Sequence, residues 1–279
     1  MDRTPPRSLH PSSPSIAARV LRRGARILVR PLTQGTNWLG VLTAVRTTQP
    51  AMALTFDDGP DPQSTPALLD ILARHGARAT FFMVGELAAR HPHIVKTAAG
   101  AGHAIGNHSW SHLSFPLLTT RERQDQLRRC QQALEPYGSK LFRPPYCHQS
   151  AASRWQLLRS GYDVVGFSVH AEDWLARPAS WMRERLVRQA RPGAIVILHD
   201  SLYRSVLPAA EHDRKPMLAA LDGALAQLKH RYRFVTVPEL LRLGKPIREH
   251  WYGSGVAEMR PALQRNVIEQ RQATAVSPS

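Results

Sequence analysis

Asp57 and Asp58 stand side by side after an apolar run over residues 51–56, and Gly59 and Pro60 follow them. Two adjacent carboxylates repel one another and lose hydration unless a cation neutralises at least one. Asp-Gly-Pro is good turn chemistry, yet a turn does not require two consecutive acids. One carboxylate as metal ligand and the other as proton acceptor accounts for both. His108 and His112 are four apart, so one helical turn or a tight loop aims both imidazoles at a single point. With a carboxylate from the neighbouring first-strand loop they form a two-His, one-carboxylate set with open positions for water and substrate. Zinc, cobalt, nickel or ferrous iron can occupy such a site. In a chain with 13 histidines a His-x-x-x-His pair alone is a weak signal, and the paired acids supply its support.

Further polar residues close other apolar runs. Arg143-Pro144-Pro145-Tyr146 is a stiff turn, its prolines limiting φ at two consecutive residues, and Arg143 can hold a carboxylate ionised and oriented. His199 follows Ile195-Val196-Ile197-Leu198. There a histidine can act as general acid, as a third metal ligand, or in a structural hydrogen bond. Asp173-Trp174 offers a carboxylate partner for that imidazole and an apolar wall.

These groups need a scaffold that gathers strand ends. Apolar runs at 51–56, 79–84, 103–106, 141–143, 162–169, 194–198 and 234–237 alternate with helical patterns at 65–75, 86–101, 119–134, 153–160, 178–191, 217–229 and 238–243. Pro92 is expected to break the second helix, and Ser64 and Gly76 to bound the first. Thr119 and Glu122 have capping-box spacing. About seven strand–helix units argue for a parallel α/β sheet, and closure into a barrel brings the carboxyl ends of its strands to one mouth. Residues 41–47, before Thr48-Gln49-Pro50, read as a hairpin partner for the first core strand.

The chain has 279 residues, 43% of them hydrophobic, which excludes wholesale disorder and rod-like repeats. No stretch approaches the ~20 apolar residues of a membrane span. Two cysteines, Cys130 and Cys147, are too few for a disulfide framework and fit a reducing compartment. The formal charge is +16, and the first 50 residues carry eight arginines against one acid, Asp2. Such a surface favours anionic partners, but zinc-finger spacing, a basic zipper and aromatic RNA motifs are all missing from the sequence, so nucleic acid is disfavoured. Residues 1–37 read as a basic arm, disordered first and then an amphipathic helix over 16–30. That helix suits peripheral contact with an anionic membrane, packing on its own domain, or targeting. Residues 38–253 read as the catalytic domain and 254–279 as a loose tail.

Together the motifs resemble the polysaccharide deacetylases with a NodB-homology domain, carbohydrate esterase family 4. Thr55-Phe56-Asp57-Asp58-Gly59-Pro60 is similar to the first family motif and Asn107-His108-Ser109-Trp110-Ser111-His112 to the second. Arg143-Pro144-Pro145-Tyr146, Asp173-Trp174 and Leu198-His199-Asp200 follow as the third, fourth and fifth, in the family's order, over residues 40–243. The resemblance implies a distorted (β/α) barrel, usually of seven strands. It implies that Asp58, His108 and His112 hold one divalent metal, zinc before cobalt or nickel. It makes Asp57 the general base and His199 the general acid, with Arg143 orienting Asp57 and Asp173 tuning His199. Tyr146 would give its backbone N–H to the oxyanion, and Trp174 and Leu198 would line the acyl pocket.

Two positions depart from the pattern: His170 stands where an acid is common, and Cys147 where a glycine is usual. The implied reaction is hydrolysis of the amide of an N-acylated sugar in an oligosaccharide, polysaccharide or glycan precursor. Deformylation or deacylation of a lipid-linked sugar at the inner membrane face is a variant, and hydrolysis of a small cyclic amide or ureide another. An inactive carbohydrate-binding module is the reading from a different class. The basic arm favours a cytoplasmic enzyme, peripheral at the inner face of the membrane.

Overall fold

Runs that are apolar at every position, rather than at alternate ones, become strands covered on both faces. The computed structural model describes residues 40–207, 210–251 and 257–276, so the basic arm and its expected helix over 16–30 lie outside the described residues. The first half of the fold comprises β1 (Val41–Arg46), β2 (Ala51–Asp57), α1 (Ser64–Arg74), β3 (Ala79–Met83), α2 (Gly85–Arg90), α3 (Pro92–Gly100), β4 (Ala104–Asn107), α4 (Thr120–Leu134) and β5 (Gly138–Phe142). The second half comprises α5 (Ala151–Arg159), β6 (Asp163–Val164), β7 (Val169–His170), α6 (Ala179–Gln189), β8 (Ile195–His199), α7 (Lys215–Leu228), β9 (Arg233–Val235), α8 (Val237–Leu241), β10 (Lys245–Glu249) and α9 (Arg260–Val276). β2 and β3 are buried at every position.

Seven strands form a curled parallel sheet in the order β6-β5-β4-β3-β2-β8-β7, with β9 beside the start of β2. This is the α/β half-barrel that the alternation implies. Helices cover its outer face, where Phe56, Leu68, Phe81, Val196 and Leu221 share one core cluster. Leu42, Ala53, Phe82, Val165 and Ile195 fill its interior.

Four details differ from the sequence reading. β1 does not pair with β2. The edges of β2 are taken by β3 and β9 on one side and β8 on the other, so β1 pairs antiparallel with β10 instead. Where β1 passes the entry to β8, Gly193 has φ of 75° and a Cβ there would lie 1.7 Å from the Val45 carbonyl oxygen, so only glycine fits.

The run at 162–169 is two short strands, not one. β6 pairs with β5 and β7 with β8, at opposite edges of the sheet, and the intervening residues cross the seam between them. Ser64 is the first residue of α1 rather than its cap, and the entry to the helix is held by Asp61, whose Oδ1 accepts from the N–H groups of Gln63 and Ser64. Finally, residues 260–276 are a helix rather than a loose tail. Leu263 and Val267 of α9 are buried, Val267 against Phe115 and Phe142. Among the described residues no helix is long and apolar enough to cross a membrane.

Candidate active site

Asp57 ends β2 and pairs in register with His199 at the end of β8, so two candidate proton carriers share one rim of the sheet. Asp58 follows with φ of 75°, a left-handed turn that swings its carboxylate toward the loop after β4. That loop is a tight turn, not a helix. Asn107 pins it by accepting the Ser109 N–H, Ser109 Oγ accepts the His112 N–H, and Gln126 accepts the Ser111 N–H. The result brings His108 Nε2 to 3.2 Å and His112 Nε2 to 3.1 Å from Asp58 Oδ1. The three ligand atoms lie within 4.8 Å of one another, and all three residues are buried.

The residues fit a divalent cation. Asp58 Oδ1 is buried and no hydrogen bond reaches it, although two imidazole nitrogens face it. His108 Nδ1 lies 2.7 Å from the Arg143 carbonyl oxygen and donates to it, which leaves the Nε2 lone pair pointing at the site. Burial pulls the His112 pKa down despite the pull of Asp58, so the ring stays neutral, as a ligand must.

Asp57 is fixed by Arg143, whose Nη1 donates to Asp57 Oδ1 at 2.6 Å, and Asp57 Oδ2 lies 4.0 Å from His108 Nε2. His199 Nδ1 lies 3.2 Å from Asp173 Oδ1, and the His199 backbone N–H donates to the other oxygen. Burial alone would lower the His199 pKa, but the Asp173 carboxylate, aided by Asp58 and Asp57, raises it to about 9. Because this value lies above the ordinary 6.5, the pair's contribution to stability is complete below about pH 6.5 and is lost as pH rises through about 9. If His199 serves as general acid it must be protonated, and kcat/KM is then expected to fall as pH rises through about 9. In Asp173→Asn the alkaline limb of the pH–rate profile should move to lower pH. A limb that stays put would remove Asp173 from its tuning role.

Tyr146 packs its ring against His112 at 4.5 Å, and Trp174 sets its edge to His199 at 5.5 Å. Leu198 requires a correction. Side chains alternate along β8, so Leu198 packs into the outer core with Phe56, and Ile197 is the residue on the face of His199. His170, the first departure, stacks on Trp174 at 5.6 Å, and Arg185 Nη2 lies 3.2 Å from its Nε2. Cys147, the second, has φ of 55°, which explains why glycine suits the position. Burial pushes its thiol up to about 12, too high for a reactive thiolate at neutral pH.

Among the described residues, positive φ at non-glycine positions occurs at Asp58, Ser109, His112, Tyr146, Cys147, Glu172 and Arg204. The first five belong to the site, Glu172 precedes Asp173, and the Arg204 carbonyl accepts from the Tyr146 hydroxyl. Such residues cost ~1–3 kcal/mol each and gather where function fixes geometry.

Sequence reasoning missed two partners. Thr55 Oγ1 accepts a second bond from Arg143. Arg214, buried, donates through Nη1 to the Asp173 carbonyl and lies 3.4 Å from its carboxylate. No motif marks Arg214, and only the packing of α7 brings it there.

The polysaccharide deacetylase family model matches residues 44–165. A peptidoglycan-N-acetylglucosamine deacetylase of Bacillus cereus is 37% identical over 196 residues, which span 68% of this chain and 88% of that protein. The chain belongs to the polysaccharide deacetylase family. Another member, the peptidoglycan-N-acetylglucosamine deacetylase PgdA of Listeria monocytogenes, is 35% identical over 206 residues, 71% of this chain. The chain spans only 41% of the length of that relative.

Solved structures of the family superimpose well. A peptidoglycan N-acetylglucosamine deacetylase in complex with 4-naphthalen-1-yl-N-oxidanyl-benzamide matches at a TM-score of 0.65 and 30% identity, covering 73% of this chain and 93% of that one. The family 4 carbohydrate esterase from Streptomyces lividans in complex with acetate matches at 0.60 and 28% identity, covering 74% and 100%.

Proposed function

We propose that this polysaccharide deacetylase hydrolyses the amide of an N-acylated sugar, most simply an N-acetyl group, in an oligosaccharide or polysaccharide. The observation that carries the reading is one point of convergence. Asp58 Oδ1 faces both imidazole Nε2 atoms within 3.2 Å, with Asp57 on one side and the His199–Asp173 pair on the same rim. Asp58, His108 and His112 would hold a divalent cation, zinc before cobalt or nickel. When bound, it would polarise the amide carbonyl and acidify a water.

The chain's own groups do the rest. Asp57, oriented by Arg143, takes the proton of the attacking water as its oxygen bonds to the carbonyl carbon. The Tyr146 N–H faces the oxyanion that develops, a contribution of a few kcal/mol, about 3, per donor. His199, protonated against Asp173, gives its proton to the nitrogen as the C–N bond breaks. The products are a free amine and a carboxylate. Trp174 and Ile197 flank His199 and suit the acyl methyl.

The names of the relatives, which speak of peptidoglycan and chitooligosaccharide, support a glycan substrate. The basic segment 16–30 supports a peripheral place at an anionic inner membrane face, where a glycan precursor would be met. Purified protein should release acetate from N-acetyl oligosaccharides, lose that activity to chelator, and regain it with zinc or cobalt. A panel of N-acetyl and N-formyl sugars, free and lipid-linked, assayed for acetate and formate, decides among the substrate readings. Full turnover in metal-free protein would overturn the mechanism, and no release from any member would leave the inactive binding module or a small cyclic amide or ureide as substrate.

A further inference from the structure

Glu86 and Tyr203 lie outside every motif described above, yet between them they touch each chain segment that carries the ligand set. Glu86 is the second residue of α2. Its backbone N–H donates to the Trp110 carbonyl at 2.9 Å, inside the turn that joins His108 to His112, and the Gly85 N–H donates to Ser109 at 3.0 Å. Just before them the Val84 N–H donates to the Gly59 carbonyl at 2.8 Å, one residue past Asp58. The start of α2 is therefore a frame that holds both ligand loops by their backbones.

The Glu86 side chain extends that frame to a third segment. Its Oε2 accepts the Tyr203 phenol hydroxyl and lies 3.8 Å from the Arg204 guanidinium. The Tyr203 backbone N–H in turn donates to Asp58 Oδ2 at 3.1 Å. Asp58 thus presents one oxygen to the imidazoles and has the other held by a peptide N–H. That N–H sits in an irregular stretch after β8, one residue before Arg204 with φ of 51°. Such a segment has no ladder to fix it, and the phenol–carboxylate bond ties it to the frame that carries His108 and His112.

We propose that Glu86 and Tyr203 form a positioning pair for Asp58, locking the carboxylate rotation so that Oδ1 faces the two imidazoles and thereby tightening metal binding. The inference rests on the metal-dependent reading above. A carboxylate free to turn about its Cβ–Cγ bond must be ordered when the cation binds, and the pair supplies that order beforehand. Partners one step behind a ligand are worth roughly 10–100-fold in metal affinity.

The test uses the full chain and three variants, Tyr203→Phe, Glu86→Leu and the double, with zinc affinity read by competition against a chromophoric chelator. Each single variant is expected to weaken zinc binding by roughly 10–100-fold. The double is expected to be no weaker than the poorer single, because both delete the same contact. The melting temperature of the metal-free variants should stay near that of the metal-free parent. Wild-type zinc affinity in either single variant overturns the proposal. So do losses that add in the double, and so does a lowered metal-free melting temperature with affinity unchanged. A parent chain that takes up neither zinc nor cobalt would instead sink the metal-dependent reading itself.

Discussion

Asp57→Asn is expected to keep its metal and lose ~10²–10⁴-fold in kcat, the usual contribution of a positioned general base. The substitution preserves shape and leaves an oxygen that can accept from Arg143 Nη1, now 2.6 Å from Asp57 Oδ1. What it removes is the ability to take a proton. The neighbouring change separates the two acids. Asp58→Asn alters the atom that faces both imidazoles within 3.2 Å and should lose metal as well as activity. Metal content by atomic absorption, measured beside kcat on an N-acetyl oligosaccharide, tells the two outcomes apart. An Asp57→Asn enzyme within tenfold of the parent would mean that another group collects the proton.

The acids and imidazoles were legible in the sequence because each follows a run that folds as a buried strand, and strand ends in a parallel sheet gather at one rim. Asp57 and His199 end β2 and β8, as the apolar runs before them imply. Other features leave less trace. β10 is largely exposed or half-buried, so it carries no apolar run to announce a strand. α9 buries little beyond Leu263 and Val267, too thin a stripe to stand out in a polar segment.

Leu198 adjoins His199 in the motif but not in space, because the period of two along a strand gives the face of His199 to Ile197. Thr55, Glu86, Tyr203 and Arg214 act through contacts between residues up to 145 positions apart, such as the Tyr203 N–H on Asp58, and spacing along the chain has nothing to say about those. Of the left-handed positions, Cys147 alone had a signal, the glycine usual in the family. At Asp58, Ser109 and His112 the conformation is imposed by surrounding bonds rather than by residue type.

Arg143→Met is expected to cost both activity and roughly 3–5 kcal/mol of stability, the usual result of stripping one partner from a buried ion pair. The guanidinium is fully buried and lies over the Phe82 ring at 4.3 Å. Its Nη1 serves Asp57 and Thr55, while Nε donates to the Val165 carbonyl and Nη2 to the Gly166 carbonyl. Those two carbonyls lie on the stretch that crosses from β6 to β7, so one side chain both orients Asp57 and ties the seam of the half-barrel.

Methionine fills the space but leaves a buried charge and two carbonyls without donors. For a domain of this size the loss corresponds to a fall of about 10 °C in melting temperature. The double variant Arg143→Met with Asp57→Asn isolates the charge. Removing the carboxylate should recover part of what the single change lost, because the stranded anion is gone while the seam carbonyls remain unpaired. If the double melts lower than Arg143→Met alone, the guanidinium is there for the seam and not for Asp57. Lysine should not substitute, since one ammonium cannot reach a carboxylate, a hydroxyl and two carbonyls arranged for a planar fork.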